Sequence, residues 1–462
     1  MEGKYQAYPV YDQSGVEWLG KVPAHWRIKP LKYFTNFING NAFKPSEWSE
    51  SGTPIIRIEN LNGGESFNFY EGAVSDRYRV NKGDLLFGWS GNKGTSFGPF
   101  IWWRDGQHYL NQHIYRLEGF NCHKRWFYWI LKAATYYIEE QAHGIIGMIH
   151  VTKAKLGGIC IPSITDEEQR TIAAFLDHET ARIDRLIEKQ QRLIELLKEK
   201  RQAVISHAVT KGLDPNAPMK DSGVEWLGQV PEHWEVTRTK FLLEFVTSGS
   251  RGWAEYYSDQ GEIFFRIANL TRDTIRPKLE SLQHVMPPYG SEGERSKIIL
   301  GDLLVSITAD LGSVCVADSS IAGGYVSQHV ALARPNKKVT SQDWLGYTIL
   351  STPSKEQLLG SGYGGTKVQL SLEDVRELWV VVPPQKEQLV ISEYLESKLS
   401  RFKALMDRTS AQIDLLKERR TALISAAVTG KIDVRNWQPN TSTQSDEPDL
   451  PMAAEQAGRY HV

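Results

Sequence analysis

Arg57 and Asn60 sit at the end of an apolar run, IIRIENL (Ile55 to Leu61), and the same pair returns as Arg266 and Asn269 in FFRIANL (Phe264 to Leu270). Further along, KGDLLFGWSGNKG (Lys82 to Gly94) places Ser90, Asn92 and Lys93 in a polar loop beside Trp89. Its echo, LGDLLVSITADLG (Leu300 to Gly312), places Thr308 and Asp310 there. YLNQHI (Tyr109 to Ile114) then supplies Gln112 and His113 next to Asn111, and YVSQHV (Tyr325 to Val330) supplies Gln328 and His329 next to Ser327. Thr271 and Arg272 extend the second set, and Lys153 and Lys367 lie on later polar segments with His150, Thr152, Thr366 and Gln369. Arg carries a fork of donors, and Asn and Gln carry a donor beside an acceptor. These types suit forked hydrogen bonds to a planar or charged partner, so the chemistry they point to is recognition.

Such loops need a scaffold, and the chain provides it twice. SGVEWLGKVPAHW (Ser14 to Trp26) returns as SGVEWLGQVPEHW (Ser222 to Trp234), with 11 of 13 positions identical. LLKEKRQAVISHAVTKG (Leu196 to Gly212) returns as LLKERRTALISAAVTGK (Leu415 to Lys431), 11 of 17 identical. Offsets between the copies drift from 208 to 219, so a common skeleton carries loops of different length. Two copies imply a pseudo-two-fold internal repeat. Short β-branched and aromatic runs bounded by Gly, Asn and Asp predict strands, and Cys122 to Ala142 and Asp343 to Leu359 predict helices. Each half is therefore expected to hold a mixed α/β domain, over 1–162 and 214–382. The aromatic run Trp126, Phe127, Tyr128, Trp129, Tyr136 and Tyr137 is expected to be helix core, and SGVEWLG to pack its domain against an adjoining long helix.

The segments that succeed each domain are different in kind. Residues 163–213 and 383–432 predict two long helices. Thr165-Asp-Glu-Glu168 has the form of a capping box, in which the Thr hydroxyl and the Glu carboxylate each satisfy a free amide. Ile172, Leu176, Ile183, Leu186, Leu193, Leu197 and Val204 recur at three- and four-residue steps, matched by Ile391, Leu395, Phe402, Leu405, Leu416 and Leu423. Gln190 with Thr409, and Lys200 with Arg419, fall on the same seam. This spacing predicts an antiparallel coiled coil. Lys211-Gly-Leu-Asp-Pro is the turn that ends the first helix. Residues 433–462 are polar, without periodicity, and predict a disordered tail.

Composition adds bounds. With 462 residues and a formal net charge of −1, the chain has room for several cores and no overall excess of either sign. Residues 1–162 carry roughly +4 and residues 214–382 roughly −5. No apolar run reaches a membrane span, and the N-terminus lacks a secretory signal. Three widely spaced cysteines without C-x-x-C predict reduced thiols in a cytoplasmic protein.

The combination of two variable α/β domains, each opened by SGVEWLG-x-VP-x-HW and each followed by a repeated long helix, resembles the specificity subunit of a type I restriction–modification enzyme. The resemblance covers nearly all of the chain except the tail. It implies two target-recognition domains reading the two parts of a split, asymmetric double-stranded DNA site, with the helices as spacer and docking surface. It also implies two methyltransferase subunits that bind S-adenosylmethionine and methylate adenine, and two restriction subunits that use ATP and Mg. In that frame this chain needs no cofactor, and Arg57, Asn60, Ser90, Asn92, Lys93, Gln112, His113, Lys153, Arg266, Asn269, Arg272, Thr308, Asp310, Gln328, His329 and Lys367 are candidates for contacting DNA. Arg matches guanine and Asn or Gln adenine through paired bonds. Arg57, Gln112 and His113 recur as Arg266, Gln328 and His329, which fits structural hydrogen bonding as well as recognition. Asn92, Lys93, Arg272 and Asp310 differ between the halves and fit specificity.

Two other classes stay in view: a single-chain DNA-modifying enzyme, and a coiled-coil adaptor that reads no DNA. Met286-Pro-Pro-Tyr289 resembles a methyltransferase loop, but Met offers no polar grip on a base amino group. Gly360-Ser-Gly-Tyr-Gly-Gly-Thr-Lys367 has phosphate-loop glycines without the Gly-Lys-Ser/Thr order. No histidine spacing suggests a metal site.

Overall fold

The computed structural model describes residues 5–142, 148–286, 290–360 and 369–439. The chain forms two compact units, Met1–Lys189 with Gln412–Val462, and Gln190–Ala411. Each unit is mixed α/β and carries two four-stranded sheets.

In the first unit one sheet runs Gly98–Ile101, Leu85–Gly88, Ile114–Glu118, Asn36–Asn39, all antiparallel. Leu85, Leu86 and Phe87 are fully buried, as a continuous apolar strand covered on both faces should be. The other sheet orders Asn68–Tyr70, Thr53–Ile56, His108–Leu110, Arg79–Val80, with Ile55 and Tyr109 paired in parallel. The second unit repeats the plan: Leu243–Ser248, Val330–Pro335, Leu303–Ser306, Val314–Val316 in one sheet, and a parallel pairing of Phe264 with Tyr325 in the other. The Gly-Asp of each GDLL motif has one job in both units. Gly83 (φ 88°) and Gly301 (φ 85°) turn through the left-handed region. Asp84 and Asp302 then accept the amides of Asn81 and Ile299, each at 2.9 Å, to close the turn.

The predicted long helices are Asp166–Lys211 and Gln385–Val428. The early part of each pairs with the late part of the other. Ile172, Phe175, Leu176 and Ile183 share the first unit's core with Leu423, Ile424, Ala427 and Val428. Ile205, Ala208 and Val209 share the second unit's core with Ile391 and Leu395. The pairing is thus antiparallel, and Asp184 to Arg420 bridges it at 2.8 Å. The seam keeps the predicted seven-residue repeat, with Ile183, Gln190 and Leu197 on one row, but its second row lies one position later than expected. Leu186 and Leu405 are exposed, while their neighbours Ile187 and Met406 turn inward. Lys200 and Arg419 are likewise exposed, and Arg201 and Arg420 take their places. The inward rows alternate in steps of four and three, as from Leu395 through Leu399, Phe402, Met406, Thr409, Ile413 and Leu416 to Arg420, which is the spacing of a coiled-coil seam.

Four further expectations need correction. The Thr165 hydroxyl does cap the Glu168 amide, at 3.3 Å. The Glu168 carboxylate, however, turns away and accepts from Tyr8 Oη at 2.8 Å and Trp26 Nε1 at 3.1 Å, with His25 Nε2 at 3.2 Å. The helix expected over Asp343 to Leu359 is two, Gln342–Leu350 and Thr352–Gly360, because Pro353 has no amide to continue the first. The long helices do not stand apart as a separate spacer body; each is divided between the two units. The tail is ordered at its start: Val434 is buried, Trp437 packs on Phe175, and the Asp433 amide donates to Gln6 O at 2.7 Å. Residues 440–462 lie outside the described residues.

The VP-x-HW motif explains why two distant stretches repeat together. Trp26 lies between Glu168, at the start of one long helix, and Gly430, just past the end of the other. Trp234 lies in the same way between Glu387 and Gly212. Both glycines have positive φ (73° and 78°), the conformation that ends a helix. Trp126, Phe127 and Trp129 are core, as expected. All three cysteines are free, and burial pushes the Cys122 thiol up to about 12. Among the described residues no helix is long and apolar enough to cross a membrane.

Candidate nucleic-acid interface

A common hydrogen-bond frame positions the loops in both units. The Arg57 amide donates to Asn60 Oδ1 at 2.8 Å, and the Arg266 amide to Asn269 Oδ1 at 2.9 Å. Each Asn spends its Nδ2 on two carbonyls: Gly64 and Ser66 in one unit, Lys278 and Ser281 in the other. Both are 0% exposed. Asn60 and Asn269 therefore hold the turn that presents the arginine, and they have neither the access nor the spare donors to read a base.

The Gln-His turns match equally well. Gln112 Nε2 contacts His113 Nε2 at 3.3 Å, and Gln328 Nε2 contacts His329 Nε2 at 3.1 Å. His113 O accepts the Trp89 amide and His329 O the Ile307 amide, each at 3.2 Å. Trp89 O and Ile307 O then accept from Val151 and Leu370, each at 2.9 Å. The frame thus ties together three segments of the chain: the residue that follows the GDLL strand (Trp89 or Ile307), the Gln-His turn, and the segment around Val151 or Leu370.

Side chains on the frame differ. In the first unit Trp89 donates its indole N–H to Gln112 O at 2.9 Å, and its ring packs on His113, Tyr115 and His150. Burial, and then His150, lower the His113 pKa below the ordinary histidine value. Asn92 and Lys93 are exposed at the tip of a tight loop whose Gly94 amide donates to the buried Glu139 carboxylate at 2.7 Å. Ser90 is buried in a short strand paired with His150, so it does not reach a partner outside the unit. Lys153 is exposed and donates to Phe37 O at 2.8 Å.

In the second unit Thr308 bridges to Gln369. Arg272 and Asp310, offered separately as specificity residues, form an ion pair with each other, and Asp310 also accepts from Ser313. As placed, they neutralise one another. Between Thr308 and Asp310 in the chain, Ala309 has φ 58°, a left-handed conformation uncommon for a residue with a side chain; Gly91 stands there in the first unit. Lys367 and Thr366, like Pro287 to Tyr289, lie outside the described residues.

The two arginines part company. The Arg57 guanidinium lies 4.9 Å from the Trp48 ring centroid, pairs with Glu59 at 3.3 Å and bonds to Asn68. Arg266 has a 3.4 Å contact to Ser281 O, and its Nε has no partner among the described residues. Trp48, Trp253 and Glu139 were missed in the sequence: they fall in stretches where the halves do not align, so the repeat gave no signal. Among the described residues no cluster of His, Cys, Asp and Glu is arranged to hold a metal ion.

The chain is similar to known proteins along most of its length. Residues 23–197 and 277–415 match the type I restriction modification DNA specificity domain. The chain is 23% identical over 448 residues to the EcoBI type I restriction enzyme specificity subunit of Escherichia coli, covering 95% of this chain and 91% of that one. It is 23% identical over 428 residues to the MjaVIII specificity subunit of Methanocaldococcus jannaschii, covering 90% and 95%. A chain from a solved structure concerned with assembly and conformational transition of the type I R-M system superposes with a TM-score of 0.65 at 16% identity, over 88% of this chain and 98% of that one.

Proposed function

The chain belongs to the type I restriction–modification DNA specificity family, and on that premise we propose that it reads a bipartite, asymmetric DNA site, one part with each unit. Specificity subunits recognise DNA and leave catalysis to partner subunits, so the chain is not itself an enzyme. The observation that carries the proposal is the duplicated frame: the same backbone bonds hold Arg, Gln and His in both units, while the loops around them differ. A fixed frame with variable side chains is what reading two unlike sequences in the major groove requires.

In this reading two methyltransferase subunits dock on the chain, bring S-adenosylmethionine and methylate an adenine in each part. Two restriction subunits add the ATP- and Mg-dependent motor and nuclease. Support for paired docking comes from exposed leucines on the long helices. Leu186 and Leu415 in the first unit correspond, at the 219-residue offset, to Leu405 and Leu196 in the second, and all four are exposed. One apolar feature presented twice suits two copies of one partner. The setting is the cytoplasm, where the DNA is.

The test is single-molecule sequencing for N6-methyladenine in cells expressing this chain with its cognate modification subunit. A split motif with one methylated adenine in each part is the expected result. A stable complex that leaves no chain-dependent motif would instead favour an adaptor that reads no DNA.

A further inference from the structure

In the second unit a hollow of about 280 Å³ opens beside Arg266, bounded by Trp253, Tyr257 and the segment Ser327 to His329. No carboxylate stands among its lining residues. Ser327 is only 5% exposed, lines the hollow, and its Oγ has no partner among the described residues. The Arg266 guanidinium is met by no carboxylate there, and its Nε too has no partner. Gln328 and His329 complete a set made of one fixed positive charge and several neutral hydrogen-bonding groups.

One residue separates this arrangement from the first unit. The turn reads Arg57-Ile-Glu59-Asn60 in one copy and Arg266-Ile-Ala268-Asn269 in the other. Glu59 pairs with Arg57 at 3.3 Å, whereas Ala268 is exposed and leaves its arginine without a counter-charge. The second half also carries the acidic balance, roughly −5 over residues 214–382, so a polyanion approaching it needs a local positive site.

We propose that the hollow in the second unit holds a backbone phosphate of the bound DNA, and that Glu59 removes the equivalent capacity from the first unit. The inference rests on the DNA-recognition reading. Phosphate fits better than a base because Arg, Gln and His occupy the same positions in both copies. Residues that read unlike sequences should differ, while a phosphate is offered by every sequence. Arg266 supplies charge, and Ser327 and Gln328 supply flanking hydrogen bonds, which together position the duplex without choosing it.

The experiment uses the full chain assembled with its modification subunit and a duplex carrying the motif found by sequencing. Affinity is measured from 50 to 200 mM salt for the wild type, Ala268→Glu and Arg266→Gln. Ala268 is on the surface, so Ala268→Glu should fold, and an unchanged melting temperature checks that. Both variants should bind about tenfold more weakly at low salt, with a logarithmic salt slope shallower by roughly 0.9, the share of one phosphate, and an unchanged methylation motif. Wild-type affinity and slope in both variants would overturn the phosphate site. So would a motif that relaxes at one position, because that assigns Arg266 to a base. A wild-type complex that methylates no motif would overturn the recognition reading itself, and this inference with it.

Discussion

At one turn of the repeated frame, Arg57 is consumed by Trp48, Glu59 and Asn68, while at the matching turn Arg266 is left with a single long contact. Where the long helices begin, the same imbalance recurs. Glu168 is nearly buried and collects Tyr8, His25 and Trp26, whereas Glu387 is half exposed and collects His233 and Trp234. At these two positions the first unit satisfies its charged group internally and the second leaves it more open. Duplication preserved the backbone bonds, and neighbouring side chains then decided which copy spends its charges on its own stability and which leaves them open.

The largest test of this contrast is at the helix starts. Glu168→Ala strands the buried Tyr8 hydroxyl and Trp26 indole N–H, each worth about 1–3 kcal/mol when unpaired, so the loss should be roughly 3–4 kcal/mol. Glu387→Ala strands one buried donor, the Trp234 indole N–H, while water reaches His233, so the loss should be about 1–2 kcal/mol. Chemical denaturation of the two variants measures both, and equal losses would break the comparison.

The helix ends come next. A Cβ at Gly430 would stand 2.4 Å from Pro23 Cδ, but one at Gly212 would stand 3.2 Å from Trp234. Gly430→Ala adds overpacking to left-handed strain and should destabilise by about 3 kcal/mol, against about 1 kcal/mol for Gly212→Ala. Thermal melting of each variant reads the difference.

The arginines give a smaller, crossed effect. Arg57→Ala should cost about 1 kcal/mol of stability through the lost Trp48 and Asn68 contacts and leave DNA affinity nearly unchanged. Arg266→Ala should leave stability unchanged and weaken DNA binding. Both effects falling on the same property, in melting and binding assays run side by side, would refute the contrast.

The smallest effect is a pH dependence in the first unit. The His113 pKa is held below its ordinary value by burial and by His150. The unfolded chain therefore takes up a proton, below about pH 6.5, that the folded unit resists. Stability from this group is full above that pH and falls as the pH drops through it. An NMR titration of His113 should show the depressed midpoint, and His150→Ala should raise it.

Much of the fold was legible. The duplicated motifs marked the two α/β units, and the parallel pairings Ile55 with Tyr109 and Phe264 with Tyr325 fall at positions that the repeat makes equivalent. Both long helices begin and end within a few residues of the expected positions, since Thr165, Gly212 and Gly430 are local signals. The period of the seam was legible, but not which of two adjacent rows faces inward, because Leu186 and Ile187, like Leu193 and Ile194, are both apolar and only packing selects between them. The interface was legible only as a set of loops. Asn60 and Asn269 looked like readers because they are polar and follow an arginine, yet what removes them is burial, which depends on carbonyls up to 12 residues away.

The amino-acid sequence by itself determined the repeat, the alternation of apolar strands with polar loops, and the residue types available at each turn. These come from neighbours within a few positions and from two copies that check each other. Only the tertiary structure decided that Arg272 and Asp310 neutralise each other, that Glu168 leaves its cap to bind Trp26, and that Arg266 stays open where Arg57 does not. The first two outcomes depend on which charges and donors meet across 38 and 142 residues of chain, where distance in space, and not spacing in sequence, sets the electrostatic energy.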